Sequence, residues 1–286
     1  MFWQTSRFHI DLDQPQVMGI VNVTPDSFSD GGQHAVTAAA LVHCEQLLRD
    51  GAHILDLGAE STRPGAQPVP VEEELARLLP VLRAAVSLGV PISVDTYKPQ
   101  VMQAALDAGA DIINDIWALR WTDPAAPQYR GPDIVAGHAT CGVCLMHMHR
   151  EPMTMQAVPM QGDAVQQVLL FLQRSAQDLS ALGVDRARIT LDPGVGFGKT
   201  VEQNFALLAR QSELLDLGYP LFVGWSRKSS LALMGVGGAA LAAQERLVPS
   251  VAAALLAVER GARIVRVHDV AQTVQALQVW RAARTA

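Results

Sequence analysis

Short apolar, β-branched runs alternate with longer stretches of helical period along the whole chain. Eight runs read as strands: VMGIVNVT (17–24), HILDLGAEST (53–62), PISVDT (91–96), DIINDI (111–116), GVCLMHM (142–148), ITLDPG (189–194), PLFVGWSRK (220–228) and RIVRVHD (263–269). Each is bounded by turn residues, the pattern of strands buried on both faces. The segments between them carry helical spacing, as in VEEELARLLPVLRAAVSLG (71–89), where acids fill the opening turn. A Gly-Ala pair precedes three of the strands (Gly51-Ala52, Gly109-Ala110, Gly261-Ala262) and reads as a helix stop followed by entry into the sheet.

Strict alternation of β and α implies parallel strands with helical crossovers. Eight units favour closure into a (β/α)8 TIM barrel over an open sheet. No linker or low-complexity tract divides the 286 residues, so the expectation is a single α/β domain over 1–286. The residues before Pro15 suggest a short N-terminal hairpin. The fourth unit, WALRWTDPAAPQYRGPDIVAGHAT (117–140), carries three prolines, so its helix should be short or displaced.

Composition narrows the picture. An apolar fraction of 49% with 17% charged residues supports a substantial core and argues against disorder. The formal charge is −6 and no basic run offers a phosphate-neutralising footprint for nucleic acid. No apolar stretch approaches the roughly 18 residues of a membrane span. The opening MFWQTSRFHIDLD lacks the pattern of a signal peptide, and three cysteines do not build a disulfide framework. A cytoplasmic globular protein is expected.

Strand alternation decides which side chains can meet, because residues two apart share a face. Asn22; Asp56, Glu60 and Thr62; Ser93 and Asp95; Asn114; Thr190 and Asp192; Ser226 and Lys228; and Arg266 and His268 then come from seven strands, mostly at their C-terminal ends. Barrel enzymes place their active sites there. Helix capping explains residues such as Thr96, Asp115 and Asp269. It does not explain Arg63, Lys228, Arg266 or His268, which cannot cap an N-terminus. Asp95, Asn114, Asp192 and Lys228 form a set able to read a flat heterocycle with amino and oxo groups. Asn22, Arg266 and His268 lie on the first and last strands, neighbours once the barrel closes. Arg with His suits an anion, and Asn offers the neutral oxygen that Mg²⁺ tolerates beside a phosphate.

These residues sit in segments that resemble dihydropteroate synthase along nearly the whole chain: MGIVNVTPDSFSDGG (18–32), ESTRPGA (60–66), SVDTYKP (93–99), INDI (113–116), LMHM (145–148), LDPGVGFGK (191–199), SRKS (226–229) and RVHDV (266–270). Each string is short, but together they follow the family's order. The resemblance implies a (β/α)8 barrel, usually homodimeric, that condenses 6-hydroxymethyl-7,8-dihydropterin pyrophosphate with p-aminobenzoate. It implies a pterin site of Asp95, Asn114, Asp192 and Lys228 with Met146 as a wall, and a pyrophosphate and Mg²⁺ site at Asn22, Arg266 and His268. It further implies substrate contacts from Thr62 and Arg63, a p-aminobenzoate and sulfonamide region at Phe28, Pro64, Phe197 and Ser229, and Asp30 brought over the site by the loop after the first strand. Ala59, Val195 and Trp225 depart from the family's common residues without removing a polar group.

Other signals carry less. GVGFGKT (194–200) lacks the first glycine of a nucleotide P-loop, since Pro193 stands there. Cys141 and Cys144 form an isolated C-x-x-C, His147 and His149 have no evident third ligand, and Asn22-Val23-Thr24 is a glycosylation pattern in a chain without a secretion signal. The rival readings are a pterin-dependent methyltransferase, a lyase using Lys228 as a Schiff base and a catalytically idle pterin-binding paralogue. The first has no need of TPDSFSDGG or SRK, the second requires trapping by borohydride, and the third should have lost Asn22, Asp95, Arg266 or His268.

Overall fold

The computed structural model describes residues 1–23, 33–62, 65–155 and 157–285. Two short strands, β1 (Phe2–Gln4) and β2 (His9–Asp11), form an antiparallel hairpin. Eight parallel strands follow: β3 (Gln16–Asn22), β4 (Ile54–Gly58), β5 (Ile92–Asp95), β6 (Ile112–Asp115), β7 (Gly142–Met146), β8 (Ile189–Asp192), β9 (Leu221–Val223) and β10 (Ala262–Val267). They pair in chain order and close through β10 and β3, as the alternation requires. The outer helices are α1 (Gln33–Arg49), α2 (Val71–Ala85), α3 (Pro99–Asp107), α4 (Gly131–Gly137), α5 (Ala164–Ala181), α6 (Val201–Ala209), α7 (Ser212–Leu215), α8 (Leu247–Glu259) and α9 (Val270–Thr285). The proline-rich fourth unit keeps only the seven-residue α4. Gly51, Gly109 and Gly261 take φ of 98°, 99° and 95°, the stop conformation expected of the Gly-Ala pairs. Among the described residues no helix is long and apolar enough to cross a membrane.

Outward-facing valines, leucines and isoleucines of the strands pack under the helices. The first inward positions, Met18, Ile54, Ile112, Cys144, Phe222 and Ile264, instead meet Trp3, Ile10 and Leu12 of the N-terminal segment. This apolar layer closes one end of the barrel and leaves the polar end to the residues beyond it. Trp3 is fully buried, and its indole N–H donates to the Arg188 carbonyl at 2.9 Å. Trp3→Ala should therefore cost about 3–5 kcal/mol in urea unfolding, through a cavity at the floor, with the polar end of the barrel unchanged. A loss below about 1 kcal/mol would show that the floor does not depend on this plug.

Every strand stops short of its run, by one or two residues in six of them and by four or five in the other two. The 220–228 run keeps strand form only over Leu221–Val223, because the chain turns at Arg227, whose φ is 58° and whose guanidinium grips Asp269 at 2.6 Å. The 53–62 run stops at Gly58. Alternation therefore cannot place Ser226, Lys228, Glu60 or Thr62, and turn geometry places them instead.

Candidate active site

The polar rim is set by register. Asn22 pairs with Gly58, Gly58 with Asp95, and Asp95 with Asn114, which puts these residues at one height on β3 to β6. Arg266, arriving on β10, reaches across this row. Its Nε donates to Asp56 Oδ2 at 2.6 Å and its Nη2 to Asp95 Oδ2 at 2.7 Å. Asp56 is fully buried and also accepts from Asn114 Nδ2 at 3.3 Å. Arg266 of the anion-binding set is thus joined to Asp95 and Asn114 of the heterocycle-reading set in one connected cluster. Asp56, on the inward face of β4 but absent from the expected site residues, is its hub.

Asp95 keeps one oxygen in reserve. Its Oδ1 is buried and has no hydrogen-bond partner among the described residues, an acceptor aimed at a donor from elsewhere. Burial raises the Asp95 pKa, outweighing the attraction of Arg266, and the nearby Asp56 carboxylate pushes the same way.

Asp192 ends β8 and accepts the Gly194 N–H through Oδ1 at 2.7 Å. Burial lifts its pKa to about 6, against that hydrogen bond and the charge of Lys228. The turn that follows requires glycine: at Gly194, with φ of 66°, a Cβ would lie 1.9 Å from the His147 carbonyl oxygen. Lys199 ties the turn down, its buried Nζ donating to the carbonyls of Gly194 (2.7 Å), Phe197 (3.1 Å) and His147 (3.3 Å). The lysine of the P-loop-like string is thus a clasp for the loop's own backbone, and burial lowers its pKa to about 7. Lys228 lies with Nζ 4.1 Å from the Phe197 ring centroid. Met146 and Phe197 pack together in an apolar cluster with Ile116, Met148 and Met155.

On the far side, Ser226 Oγ accepts the His268 backbone N–H at 3.1 Å and lies 2.9 Å from His268 Nδ1. Thr62 is half-buried beside a small cavity of about 90 Å³ shared with Glu60, Tyr97, Trp117 and Trp121. Ser229 is exposed at the start of a 3-10 turn. Phe28, Asp30, Arg63 and Pro64 lie outside the described residues. A larger cleft of about 600 Å³ opens outside the barrel between α4 and α5 and contains none of the rim residues.

The discounted signals find structural roles. Cys141 and Cys144 are buried free thiols, and Arg188 donates to the Cys141 sulfur at 3.1 Å. His147 packs edge-on to Phe171, and burial drives its pKa down to about 2. Among the described residues no group of three His, Cys, Asp or Glu is arranged to hold a metal. A divalent ion at this rim would depend on few protein ligands, such as the Asn22 oxygen, together with substrate phosphates, a mode Mg²⁺ favours.

Known proteins resemble the chain over nearly its whole length. The pterin binding enzyme family matches residues 18–268. The dihydropteroate synthase of Neisseria meningitidis serogroup B is 50% identical over 286 residues, covering 98% of this chain and 96% of the relative. Burkholderia cenocepacia dihydropteroate synthase, solved with 7,8-dihydropteroate, superposes with a TM-score of 0.86 at 48% identity, covering 99% and 96% of the two chains. The Yersinia pestis dihydropteroate synthase, solved in a sulfonamide drug complex, gives 0.90 at 42% identity over the full length of both. Matched along its length in sequence and in fold, this chain belongs to the pterin binding enzymes as a member of the dihydropteroate synthase family.

Proposed function

We propose that the chain joins 6-hydroxymethyl-7,8-dihydropterin pyrophosphate to p-aminobenzoate at this rim, yielding 7,8-dihydropteroate and pyrophosphate. The observation that carries the reading is Arg266 bonded to both Asp56 and Asp95, which sets a cation for the leaving diphosphate beside carboxylates for the heterocycle. Asp95 Oδ1 and Asp192 accept ring N–H groups, Asn114 contributes amide contacts, Lys228 donates to the ring oxygen, and Met146 forms an apolar wall. Thr62, Phe197 and Ser229 border the p-aminobenzoate side, where sulfonamides compete.

The reacting methylene is attached to an electron-rich bicycle, so its C–O bond can break ahead of nucleophilic attack. Asp95 and Asp192 stabilise the positive charge that develops on the pterin. Two of the five N–H donors of Arg266 are used by carboxylates, and the rest, with His268, serve the departing oxygens. The aniline nitrogen, neutral at pH 7, forms the C–N bond and loses one proton to solvent, so no strong base is needed. Mg²⁺ held by Asn22 and the phosphates would supply further neutralisation of the leaving group when bound. A charged pyrophosphate substrate fits a cytoplasmic location, and a homodimer is the assembly expected from the family.

A coupled assay for pyrophosphate release tests the reading. Release should require both substrates and be inhibited by sulfonamide in competition with p-aminobenzoate. Equal release without p-aminobenzoate, or none with both substrates, would overturn it.

A further inference from the structure

Outside the cluster around Arg266, another ionic group is withdrawn from solvent at the same end of the barrel. Lys98 Nζ donates to Glu74 Oε2 at 2.6 Å and also to Glu60 Oε2. Side-chain exposure is only 4% for Lys98, 6% for Glu60 and 1% for Glu74. Thr96 Oγ1 donates to the other Glu74 oxygen at 2.7 Å, and the Tyr97 hydroxyl to Glu60 Oε1 at 2.9 Å. Arg77 of α2 adds a bond to the Ala59 carbonyl at 3.2 Å. Three segments that follow or begin different barrel units, the β4 exit, the β5 exit and the first turn of α2, are thereby locked together.

Local stability does not account for this arrangement. Lys98 occupies the N-cap of α3 without a side-chain cap bond, and a cation there opposes the helix dipole. Desolvating an ammonium and two carboxylates is costly, and apolar replacements of similar volume often match or exceed such groups in stability. What the group does provide is position. Glu60 stands two residues before Thr62, and Glu60, Thr62 and Tyr97 together line the small cavity at the mouth, with Trp121 edge-on to Tyr97 at 5.1 Å.

We propose that Lys98, acting through Glu60, is a positioning residue that fixes Thr62 at the mouth of the barrel and thereby sets affinity for the arylamine substrate. This rests on the assignment of Thr62 to the p-aminobenzoate side. The Asp56 cluster holds the pterin end through its own bonds to Arg266 and Asn114. Loosening Lys98 should therefore affect one substrate and spare the other.

The test is steady-state kinetics of Lys98→Met, Lys98→Arg, Glu60→Gln and Thr62→Val with each substrate varied in turn. Lys98→Met and Glu60→Gln should raise KM for p-aminobenzoate about tenfold, while kcat and KM for the pterin pyrophosphate stay within about twofold, and Lys98→Arg should recover much of the loss. A merely structural role would reduce the active fraction without this split. If Lys98→Met fails to fold, Glu60→Gln carries the same prediction. A rise with Thr62→Val but with neither Lys98→Met nor Glu60→Gln would overturn the proposal alone. No rise with Thr62→Val would overturn the assignment of Thr62 on which it rests.

Discussion

Arg266→Ala should lower kcat/KM for the pterin pyrophosphate by about 10³-fold, the scale of losing a preorganised charge donor at a reacting centre. The guanidinium serves two parties at once. It neutralises Asp56 and Asp95 through bonds of 2.6 and 2.7 Å, and in the proposed reaction its remaining donors go to the leaving group. Removing it leaves a fully buried carboxylate at Asp56 and a nearly buried one at Asp95, a situation that costs about 3–5 kcal/mol. Stability and catalysis would then fall together, so the test must part them. Asp56→Asn placed in the Arg266→Ala background should restore much of the stability, because the introduced amide oxygen can still accept from Asn114. It should not restore turnover. Calorimetry with inorganic pyrophosphate supplies the direct reading: affinity should fall strongly in both variants, and unchanged affinity would remove Arg266 from the leaving-group site. Arg266→Lys should retain the charge but not the two-carboxylate fork, and should fall between wild type and Ala.

The fold was legible because the strands of a closed parallel barrel are buried on both faces, and that burial writes itself as apolar runs. The same rule hid where strands end. PLFVGWSRK is one continuous pattern in sequence, yet only Leu221–Val223 are strand, since Arg227 adopts positive φ and pairs with Asp269. Ser226 and Lys228 reach their places through that turn. Glu60 is similar: alternation aligned it with Asp56, but beyond Gly58 its side chain swings to Lys98.

Asp56 illustrates a different limit. Its inward direction was readable, yet its partner Arg266 lies 210 residues away in the chain, and nothing local separates a hub carboxylate from one that caps a helix. Lys199 followed a glycine string resembling a phosphate loop, and only the convergence of three carbonyls on its Nζ shows that it binds its own backbone. Periodicity thus reports direction and burial. Pairing across the barrel is a property of closure.

Asp192→Asn should weaken pterin binding by about 10²–10³-fold and, away from acid, make the unliganded protein more stable. Both effects follow from one buried carboxylate. Burial raises its pKa from 3.8 to about 6, so between those values the folded protein holds a proton that the unfolded chain has released. Wild-type stability from this group therefore decreases as pH rises through that window and levels off above it. The replacement amide does not ionise, and its oxygen can keep the 2.7 Å bond from Gly194. The melting temperature of the variant relative to wild type should climb between about pH 4 and about pH 6 and then level off. Binding moves the other way, because the amide NH2 would confront a ring N–H donor and leave both unsatisfied in a dry site. Thermal melts across that pH range and calorimetry with a non-reactive pterin measure the two consequences separately. Parallel melting curves would show that Asp192 ionises in the fold as it does in water, and undiminished pterin affinity would take it out of the heterocycle site. Finding both changes together would show that the carboxylate is retained against the preference of the fold, for the ligand it reads.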